Sequence, residues 1–104
     1  MGLAKKKKNT VGRWYLYVLQ CGDNTLYTGI TNDLQRRIQQ HNNGIASRYT
    51  RSRLPVVLAY QERCLGHSSA LKKEYAMKQL SRKEKEIYIV KKAKARRSRQ
   101  KLRE

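Results

Sequence analysis

Residues 15–30 read YLYVLQCGDNTLYTGI, and this stretch decides how the rest of the chain can fold. Tyr15–Gln20 and Thr25–Ile30 are both rich in residues that favour β-strands. Between them, Gly22-Asp23-Asn24 is a sequence typical of tight turns. The stretch therefore predicts a β-hairpin.

The register of this hairpin decides which side chains share a face of the sheet. Counting outward from the turn places Tyr17 opposite Tyr27 or Thr28, depending on the loop length, and the first register puts both phenols on one face. Gly29 lies two residues beyond Tyr27 and shares its face. A glycine inside a strand leaves space beside the ring, and close approach of a ligand to the backbone is one reason to find it there.

A helix is predicted directly after the hairpin. Thr31-Asn32-Asp33 offers three consecutive N-cap residues before LQRRIQQHN, so a helix of about ten residues should begin there and end by Gly44. On a helical wheel Arg37 and His41 lie on the side that faces the sheet, whereas Arg36 faces away. An inward arginine needs an anionic partner, and the sequence leaves two open, the carboxylate of Asp33 or a bound phosphate.

Residues 44–55 (GIASRYTRSRLP) are predicted to form a basic loop. An aromatic ring among arginines is suited to stacking a base and holding backbone phosphates, although solvation of the charges alone explains the same composition. The candidate nucleic-acid contacts in and near this loop are Arg48, Tyr49, Arg51 and Arg53, with Arg36 on the preceding helix.

Val56–Gln61 reads as a third strand, central or half buried. A helix should follow, with Ser68 or Ser69 as its cap. One stripe of this helix carries Leu71, Glu74, Tyr75 and Lys78, and the wheel turns Glu74 toward the core.

A last helix is predicted from Ser81, because Glu84 three residues later completes a capping box. It should continue through Ile87 and Val90 into a basic tail. The order of elements is then β-β-α-β-α-α, with a three-stranded sheet, which is an α/β fold of the α+β type.

The charge of the chain is concentrated at its two ends. Lys and Arg total 25 against 7 Asp and Glu, a net charge of +18. Residues 1–13 carry five Lys or Arg and no acid, and residues 91–104 carry eight against one, so both read as basic, flexible tails around a domain at 14–90. A polyanion, nucleic acid, is the partner that this charge indicates.

Other classes of protein are excluded by composition. The sequence has no apolar run of the roughly 18 residues that a membrane span needs, and no apolar block follows the early lysines. We therefore expect a soluble, cytoplasmic protein with no membrane partner, a monomer, associated with the nucleoid when bound to DNA. Cys21 and Cys64 are too few for a zinc site and should remain thiols, with a disulfide between them as the less favoured alternative.

Five inward polar residues have chemistry suited to phosphodiester hydrolysis: Tyr17, Tyr27, Arg37, His41 and Glu74. Arg37 can bind two phosphate oxygens with its planar fork and stabilise the negative charge of the transition state. A tyrosine whose pKa is lowered by Arg37 and His41 can accept a proton from water, or relay it to His41. Glu74 can hold a Mg²⁺ ion that supports the leaving 3′ oxygen.

Each of these residues also has a purely structural explanation. Tyrosines in strands are commonly packing residues, Arg37 can pair with Asp33, His41 can close its helix, and Glu74 can pair with Lys78. The combination nevertheless favours a functional site, because several polar groups directed inward would stabilise a small domain poorly.

These residues resemble the GIY-YIG nuclease family. Its first motif corresponds to Tyr15-Leu16-Tyr17 and its second to Tyr27-Thr28-Gly29, while Asp33-Leu34-Gln35-Arg36-Arg37 matches its helix motif. Over residues 14–90 the chain looks closest to the small stand-alone bacterial proteins of the UPF0213 type. The resemblance gives His41 the position one turn after the arginine and Glu74 the metal-binding position.

The resemblance implies an antiparallel three-stranded sheet flanked by helices, one divalent metal and hydrolysis of DNA. Since the chain has no separate module for reading sequence, we expect a nuclease of low sequence specificity that uses Mg²⁺ or Mn²⁺, in DNA repair or processing. Many family members use an Asn downstream of the metal-binding Glu, and this chain has none after Asn43, so Lys78 or Arg82 would have to take that phosphate contact. Two alternatives stay open. One is a non-catalytic protein that binds structured RNA or the ribosome, and the other is an interaction module in a repair complex.

Overall fold

The computed structural model describes residues 13–103, with side chains as far as Arg97. The described residues form three strands and four helices: β1 (Trp14–Gln20), β2 (Leu26–Thr31), α1 (Leu34–Asn42), α2 (Arg48–Arg51), β3 (Val57–Cys64), α3 (His67–Lys78) and α4 (Arg82–Arg103). The predicted fold class and order are confirmed, and α2 is an additional short helix within the segment predicted as a loop. The predicted N-terminal tail lies outside the described residues except for Arg13.

The strands form one antiparallel sheet in the order β2-β1-β3, so β1 is central and the third strand lies at an edge. Tyr17 pairs with Gly29, and Tyr27 pairs with Leu19. The prediction that Tyr17 lies opposite Tyr27 or Thr28 is therefore wrong, because the connection between β1 and β2 is longer than expected. The shift from Tyr27 to Gly29 is two residues, the period of a strand, so both phenols still share one face.

Alternate side chains of β1 contribute to two separate cores, one on each face of the sheet. On one face, Leu16 and Val18 pack with Ala70 and Met77 of α3. We call this the α3 face. On the other, which we call the α1 face, Tyr17 and Leu19 form a second cluster against which Tyr27, Leu34 and Ile38 pack.

Capping residues mark where the helices begin and end. The Asp33 carboxylate accepts a hydrogen bond from the backbone N–H three residues later, and Gly44 adopts a left-handed φ of +77° just beyond α1, as predicted. The predicted capping box opens α4, where Ser81 and Glu84 exchange hydrogen bonds of 2.8 and 3.1 Å. Helix α3 begins earlier than predicted, with Gly66 rather than Ser68 or Ser69 as its N-cap.

The predicted stripe on α3 is only partly correct. Glu74 is directed inward, with 21% of its side chain exposed, but Leu71 and Tyr75 are 46% and 70% exposed. The residues of α3 that are buried against the sheet are Ala70 and Met77. The short side chain of Ala70 lets the helix approach the sheet closely, whereas the wheel assigned the buried side to the larger apolar residues.

A largely buried carboxylate, Glu62 of β3, lies on the α3 face and was not identified from the sequence. Its Oε1 accepts hydrogen bonds from the hydroxyls of Tyr60 and Tyr88, at 2.7 and 2.6 Å, and its Oε2 pairs with Lys73. Burial acts to raise the pKa of Glu62, but the hydrogen bonds from Lys73, Tyr88 and Tyr60 outweigh it and lower the pKa to about 2. This ionised group ties the edge strand to both α3 and α4.

Helix α4 runs without a break across residue 90, where the sequence suggested that the domain gives way to a tail. Arg96 donates a hydrogen bond of 2.8 Å to the carbonyl of Gln61, which fixes this basic segment to β3. The division of the chain into domain and tails stays a prediction. Within residues 13–103, no helix is both long and apolar enough to cross a membrane.

Cys21 and Cys64 are both buried, free thiols. The less favoured alternative, a disulfide between them, is therefore wrong. Burial raises the pKa of both thiols, so they remain protonated and serve as small packing residues.

Candidate active site

The two tyrosines of the α1 face are fixed by the register of the hairpin. Tyr17 is 2% exposed and lies across from Gly29, where an added Cβ would be 2.5 Å from the Tyr17 hydroxyl oxygen. The space beside Gly29 is therefore filled by the Tyr17 phenol itself, which explains the glycine without close approach of a ligand. Glycine is required at this position so that the ring of Tyr17 can lie flat across β2.

A buried chain of hydrogen bonds begins at this phenol. The Tyr17 hydroxyl lies 2.9 Å from Nε2 of His41, and Nδ1 of His41 lies 2.8 Å from Oγ1 of Thr50. His41 is 1% exposed and Thr50 is 0% exposed. The inward direction predicted for His41 is confirmed, whereas Thr50 was missed because a helix of four residues has no detectable periodicity.

Both titrating groups of this chain are neutral near pH 7. Burial raises the pKa of Tyr17 strongly, the charges of Tyr27 and Glu74 add to this, and Arg37 opposes it only in part. Burial and the nearby Arg37 charge lower the pKa of His41. For Tyr17, the expectation that Arg37 and His41 lower the phenol pKa is therefore wrong, since desolvation is the larger effect.

Arg37 is half buried beside an open groove of about 230 Å³. The groove is lined by polar residues: Thr31, Asn32, Asp33, Arg36, Arg37 and Gln40. No carboxylate among the described side chains forms an ion pair with Arg37, and that of Asp33 instead caps α1. Of the two partners left open by the sequence, Asp33 is therefore not used.

Glu74 comes from the helix on the opposite face, yet its charge is among those that raise the pKa of Tyr17. It therefore lies within electrostatic reach of the phenol. Its Oε2 is 3.2 Å from Nζ of Lys78, the structural alternative considered above. The described residues contain no group of three or more His, Cys, Asp or Glu side chains that could surround a metal.

A single carboxylate is still compatible with Mg²⁺, which commonly keeps several waters and takes further oxygens from a substrate phosphate. Glu74 is partly exposed and carries no second carboxylate partner among the described residues, so its oxygens fit such a site. A metal ion that needs three or more His, Cys, Asp or Glu ligands does not fit the described residues.

A row of side chains in contact extends outward from His41. The Tyr27 ring contacts His41 edge to face, with centroids 5.2 Å apart, and stacks on Tyr49 at 5.9 Å. The guanidinium of Arg53 lies over the Tyr49 ring, 3.9 Å from its centroid, and pairs with Asp23 at 3.0 Å. The Tyr49 ring is therefore already in contact with Tyr27 and Arg53, and a base that stacks in the place of the guanidinium must displace Arg53.

The predicted nucleic-acid contacts fall into two groups. Arg36, Arg48 and Arg51 are exposed. Lys78 and Arg82, like Arg53, are engaged within the protein, since Lys78 pairs with Glu74 and Arg82 with Glu86 at 2.8 Å. Of the exposed arginines, Arg36 lines the groove, and Arg48 and Arg51 belong to α2.

Comparison with known proteins matches residues 13–88 to the family described as the GIY-YIG catalytic domain. A UPF0213 protein of Desulfotalea psychrophila is 56% identical over 69 residues, which cover 65% of this chain and 63% of that protein. A UPF0213 protein of Bacillus velezensis is 51% identical over 75 residues, which cover 72% of this chain and 76% of that protein. Less than two thirds of the Desulfotalea relative is thus spanned.

A solved structure supports the same similarity. The solution NMR structure of a protein from E. faecalis is 40% identical to this chain, with a TM-score of 0.56. The match covers 76% of this chain and 84% of that one. The likeness therefore extends over most of both molecules.

Proposed function

Since the chain belongs to the GIY-YIG nuclease family, we propose that it is an endonuclease that hydrolyses DNA phosphodiester bonds with low sequence specificity and depends on Mg²⁺ or Mn²⁺. The observation that carries the proposal is the buried hydrogen bond between Tyr17 and His41 beside an arginine with no carboxylate partner among the described side chains. This arrangement combines a path for a proton with a binding group for a phosphate.

The proton path uses two neutral groups. As a water molecule attacks phosphorus, the Tyr17 oxygen accepts its proton while the Tyr17 hydroxyl proton passes to Nε2 of His41. No phenolate has to exist beforehand, which agrees with the raised pKa of Tyr17. Tyr27, in contact with His41, orients the attacking water from the same face.

Arg37 binds the scissile phosphate in this mechanism. Its guanidinium can donate two parallel hydrogen bonds to phosphate oxygens and stabilise the charge that develops on them in the transition state. The polar groove beside it offers the space for the phosphate group. The half-buried position strengthens this interaction, because screening by water is reduced.

Glu74 holds the metal ion in the proposed site, and the bound ion supplies a positive charge that supports the leaving 3′ oxygen. Lys78, whose Nζ lies 3.2 Å from Glu74, is the residue that we propose for the phosphate contact of the Asn that this chain lacks after Glu74. Arg82 is the weaker candidate for that contact, because it is bound to Glu86 and to the carbonyl of Asn24.

DNA binding in this proposal is mainly electrostatic. Arg36 beside the groove and the exposed Arg48 and Arg51 of α2 contact the phosphates, Tyr49 offers a surface for base stacking where Arg53 is displaced, and the displaced Arg53 is then free to bind a phosphate. The basic terminal segments add affinity, with log K falling by roughly 0.9 per phosphate neutralised as salt rises tenfold. We propose a monomer acting in the cytoplasm, on the nucleoid when bound, in DNA repair or processing.

A second candidate function is nucleic-acid binding without catalysis, on structured RNA or the ribosome. The ion pair between Glu74 and Lys78 favours it, since it occupies the carboxylate that would hold the metal. The two candidates differ in what they require of Glu74, because binding alone does not need this carboxylate.

Cleavage of plasmid, nicked and branched DNA with Mg²⁺, Mn²⁺ or EDTA tests the proposal. Arg37→Ala and Glu74→Ala should each lower the rate by about 100-fold or more, because each removes a group that stabilises the transition state. Matched controls are Arg63→Ala, an exposed arginine on β3, and Glu86→Ala, an exposed glutamate with an i,i+4 partner.

Both controls should keep the wild-type rate. Identical products from the wild type and both site variants would mean that the cleavage comes from a contaminant. Salt-sensitive binding of RNA or DNA with no metal-dependent cleavage would favour the second candidate.

A further inference from the structure

Thr50 is a buried polar residue at the centre of the site, although no motif assigns it a role. Its side chain is completely inaccessible to solvent, and its hydroxyl contacts two groups. Oγ1 lies 2.8 Å from Nδ1 of His41 and 3.4 Å from the carbonyl oxygen of Ser47. A hydroxyl has one proton to donate, so these two contacts cannot both receive it.

The carbonyl of Ser47 can only accept a hydrogen bond, so it gives the Thr50 hydroxyl an acceptor on the side away from His41. If the Thr50 hydroxyl donates to Ser47, then its oxygen accepts from Nδ1–H of His41. A neutral imidazole carries one N–H, so Nε2 is then unprotonated and accepts from the Tyr17 hydroxyl. Every proton in this arrangement has an acceptor.

The reverse arrangement has different chemistry. If Thr50 donated to Nδ1, the imidazole proton would be on Nε2, and His41 would donate to the Tyr17 oxygen. His41 would then have no lone pair on the side of Tyr17. It could not receive the Tyr17 proton, although the distances between the heavy atoms would be the same.

Helix α2 holds the Ser47 carbonyl in place. The Ser47 side chain caps this helix by accepting from the N–H groups of Tyr49 and Thr50, at 3.1 and 3.4 Å. Its carbonyl also accepts the first helical hydrogen bond, from the N–H of Arg51 at 3.0 Å. The short helix therefore fixes an acceptor directly behind the Thr50 hydroxyl.

We propose that Thr50 is a positioning residue that keeps the His41 proton on Nδ1 and so leaves Nε2 free to accept the proton of Tyr17. The use of that lone pair in hydrolysis rests on the proposed function. The tautomer itself does not, because it depends only on hydrogen bonds within the protein.

Nitrogen-15 NMR of the imidazole rings tests the tautomer directly. The chain has 2 histidines, His41 and His67, so the signals are readily assigned with a His67→Gln variant. In the wild type, Nδ1 of His41 should have the chemical shift of a protonated nitrogen and Nε2 that of an unprotonated one. Thr50→Ser, which keeps the hydroxyl, should give the same spectrum.

Thr50→Val keeps the shape of the side chain but removes the hydroxyl. The His41 proton should then move to Nε2 in most molecules, and cleavage should fall by about 10- to 100-fold, as is typical when the hydrogen-bond partner of a functional histidine is removed. Thr28→Val is the matched control, because Thr28 is also buried and its hydroxyl has no hydrogen-bond partner among the described residues. It should leave both the spectrum and the rate unchanged.

Two results would overturn the proposal: a wild-type His41 with its proton on Nε2, or a Thr50→Val variant with the wild-type tautomer. If Thr50→Val does not fold, the wild-type and Thr50→Ser spectra still decide between the two tautomers. A wild type that cleaves no DNA but has the Nδ1–H tautomer would reject the proposed function and leave the role of Thr50 intact.

Discussion

The sheet carries a buried polar cluster on each of its faces, and the two differ in what their protons can do. On the α1 face, Tyr17, His41 and Thr50 form a chain of neutral groups. On the α3 face, the ionised carboxylate of Glu62 is surrounded by Lys73 and two tyrosine hydroxyls. The strands that supply both clusters are neighbours in one sheet.

The difference separates a structural cluster from a reactive one. Around Glu62 every donor points at the same carboxylate, and its pKa of about 2 means that no proton is exchanged near neutral pH. In the chain through His41, each hydroxyl can both donate and accept, and the neutral imidazole has one donor and one acceptor nitrogen, so a proton can enter at one end. Burial alone therefore does not identify a site, whereas the direction of the hydrogen bonds does.

Removing one phenol hydroxyl from each face is the sharpest way to test this contrast. Tyr17→Phe should lower DNA cleavage by about 10²- to 10³-fold, since it removes the group that passes the proton to His41. Tyr88→Phe removes a hydrogen bond to Glu62 and should keep the wild-type rate. Each variant should also lose about 1 to 2 kcal/mol of unfolding free energy, because each leaves a buried group with one partner fewer.

The two variants are thus matched in stability and opposite in activity. Rates should be measured at a temperature at which circular dichroism finds both proteins folded. Equal loss of cleavage in Tyr88→Phe would mean that the α3 face participates in the reaction, and the contrast between the clusters would be wrong.

A smaller effect is expected from closing the space that Tyr17 occupies. Gly29→Ala places a methyl group 2.5 Å from the Tyr17 oxygen, so the ring must move in a well-packed core at a cost of about 1 to 3 kcal/mol. The hydrogen bond to His41 should lengthen and cleavage should decrease, while the Glu62 cluster on the other face is unaffected. Urea unfolding and a cleavage assay measure the two effects.

Gly66→Ser is the matched control for an added Cβ. At Gly66 such an atom meets nothing within 4 Å, and a serine hydroxyl can cap α3. This variant should be as stable as the wild type or slightly more stable. A Gly29→Ala protein with wild-type stability and rate would show that the phenol is not confined by β2.

The sequence predicts the α1 face well because its signals are local. Asp33 and the helical period place Arg37 and His41 on one side, and the two-residue period of a strand brings Tyr17 and Tyr27 together even though the register was wrong. Family membership adds the expectation of nuclease chemistry. Thr50 lies outside these signals, because α2 is too short for a pattern.

The α3 face could not be predicted because its contacts are distant in sequence. Glu62 lies beyond the strand that the sequence predicts, and its partners Lys73 and Tyr88 come from two different helices. No short-range rule pairs a strand glutamate with residues 11 and 26 positions later. The exposure of Leu71 was also not predicted, because which side of α3 is buried depends on the shape of the sheet beneath it.

The smallest expected effect is on the pH dependence of stability, to which the two clusters contribute in different pH ranges. Glu62 has a pKa of about 2 in the folded protein against an ordinary value of 4.5, so its contribution to stability is complete above pH 4.5 and is lost as the pH falls toward 2. The pKa of His41 is lowered from 6.5, so its neutral form favours folding above that pH, and stability decreases below it as the unfolded chain binds the proton first. Acid should therefore weaken the protein in two steps.

Two variants test these steps. Glu62→Gln should lower the free energy of unfolding at neutral pH by about 1 to 1.5 kcal/mol, a value kept small because Lys73 is partly exposed to water. It should remove only the step at lower pH, whereas His41→Gln should remove only the step at higher pH. Urea unfolding between pH 3 and 8 measures both differences, and a Glu62→Gln variant that keeps the lower step would assign it to other carboxylates.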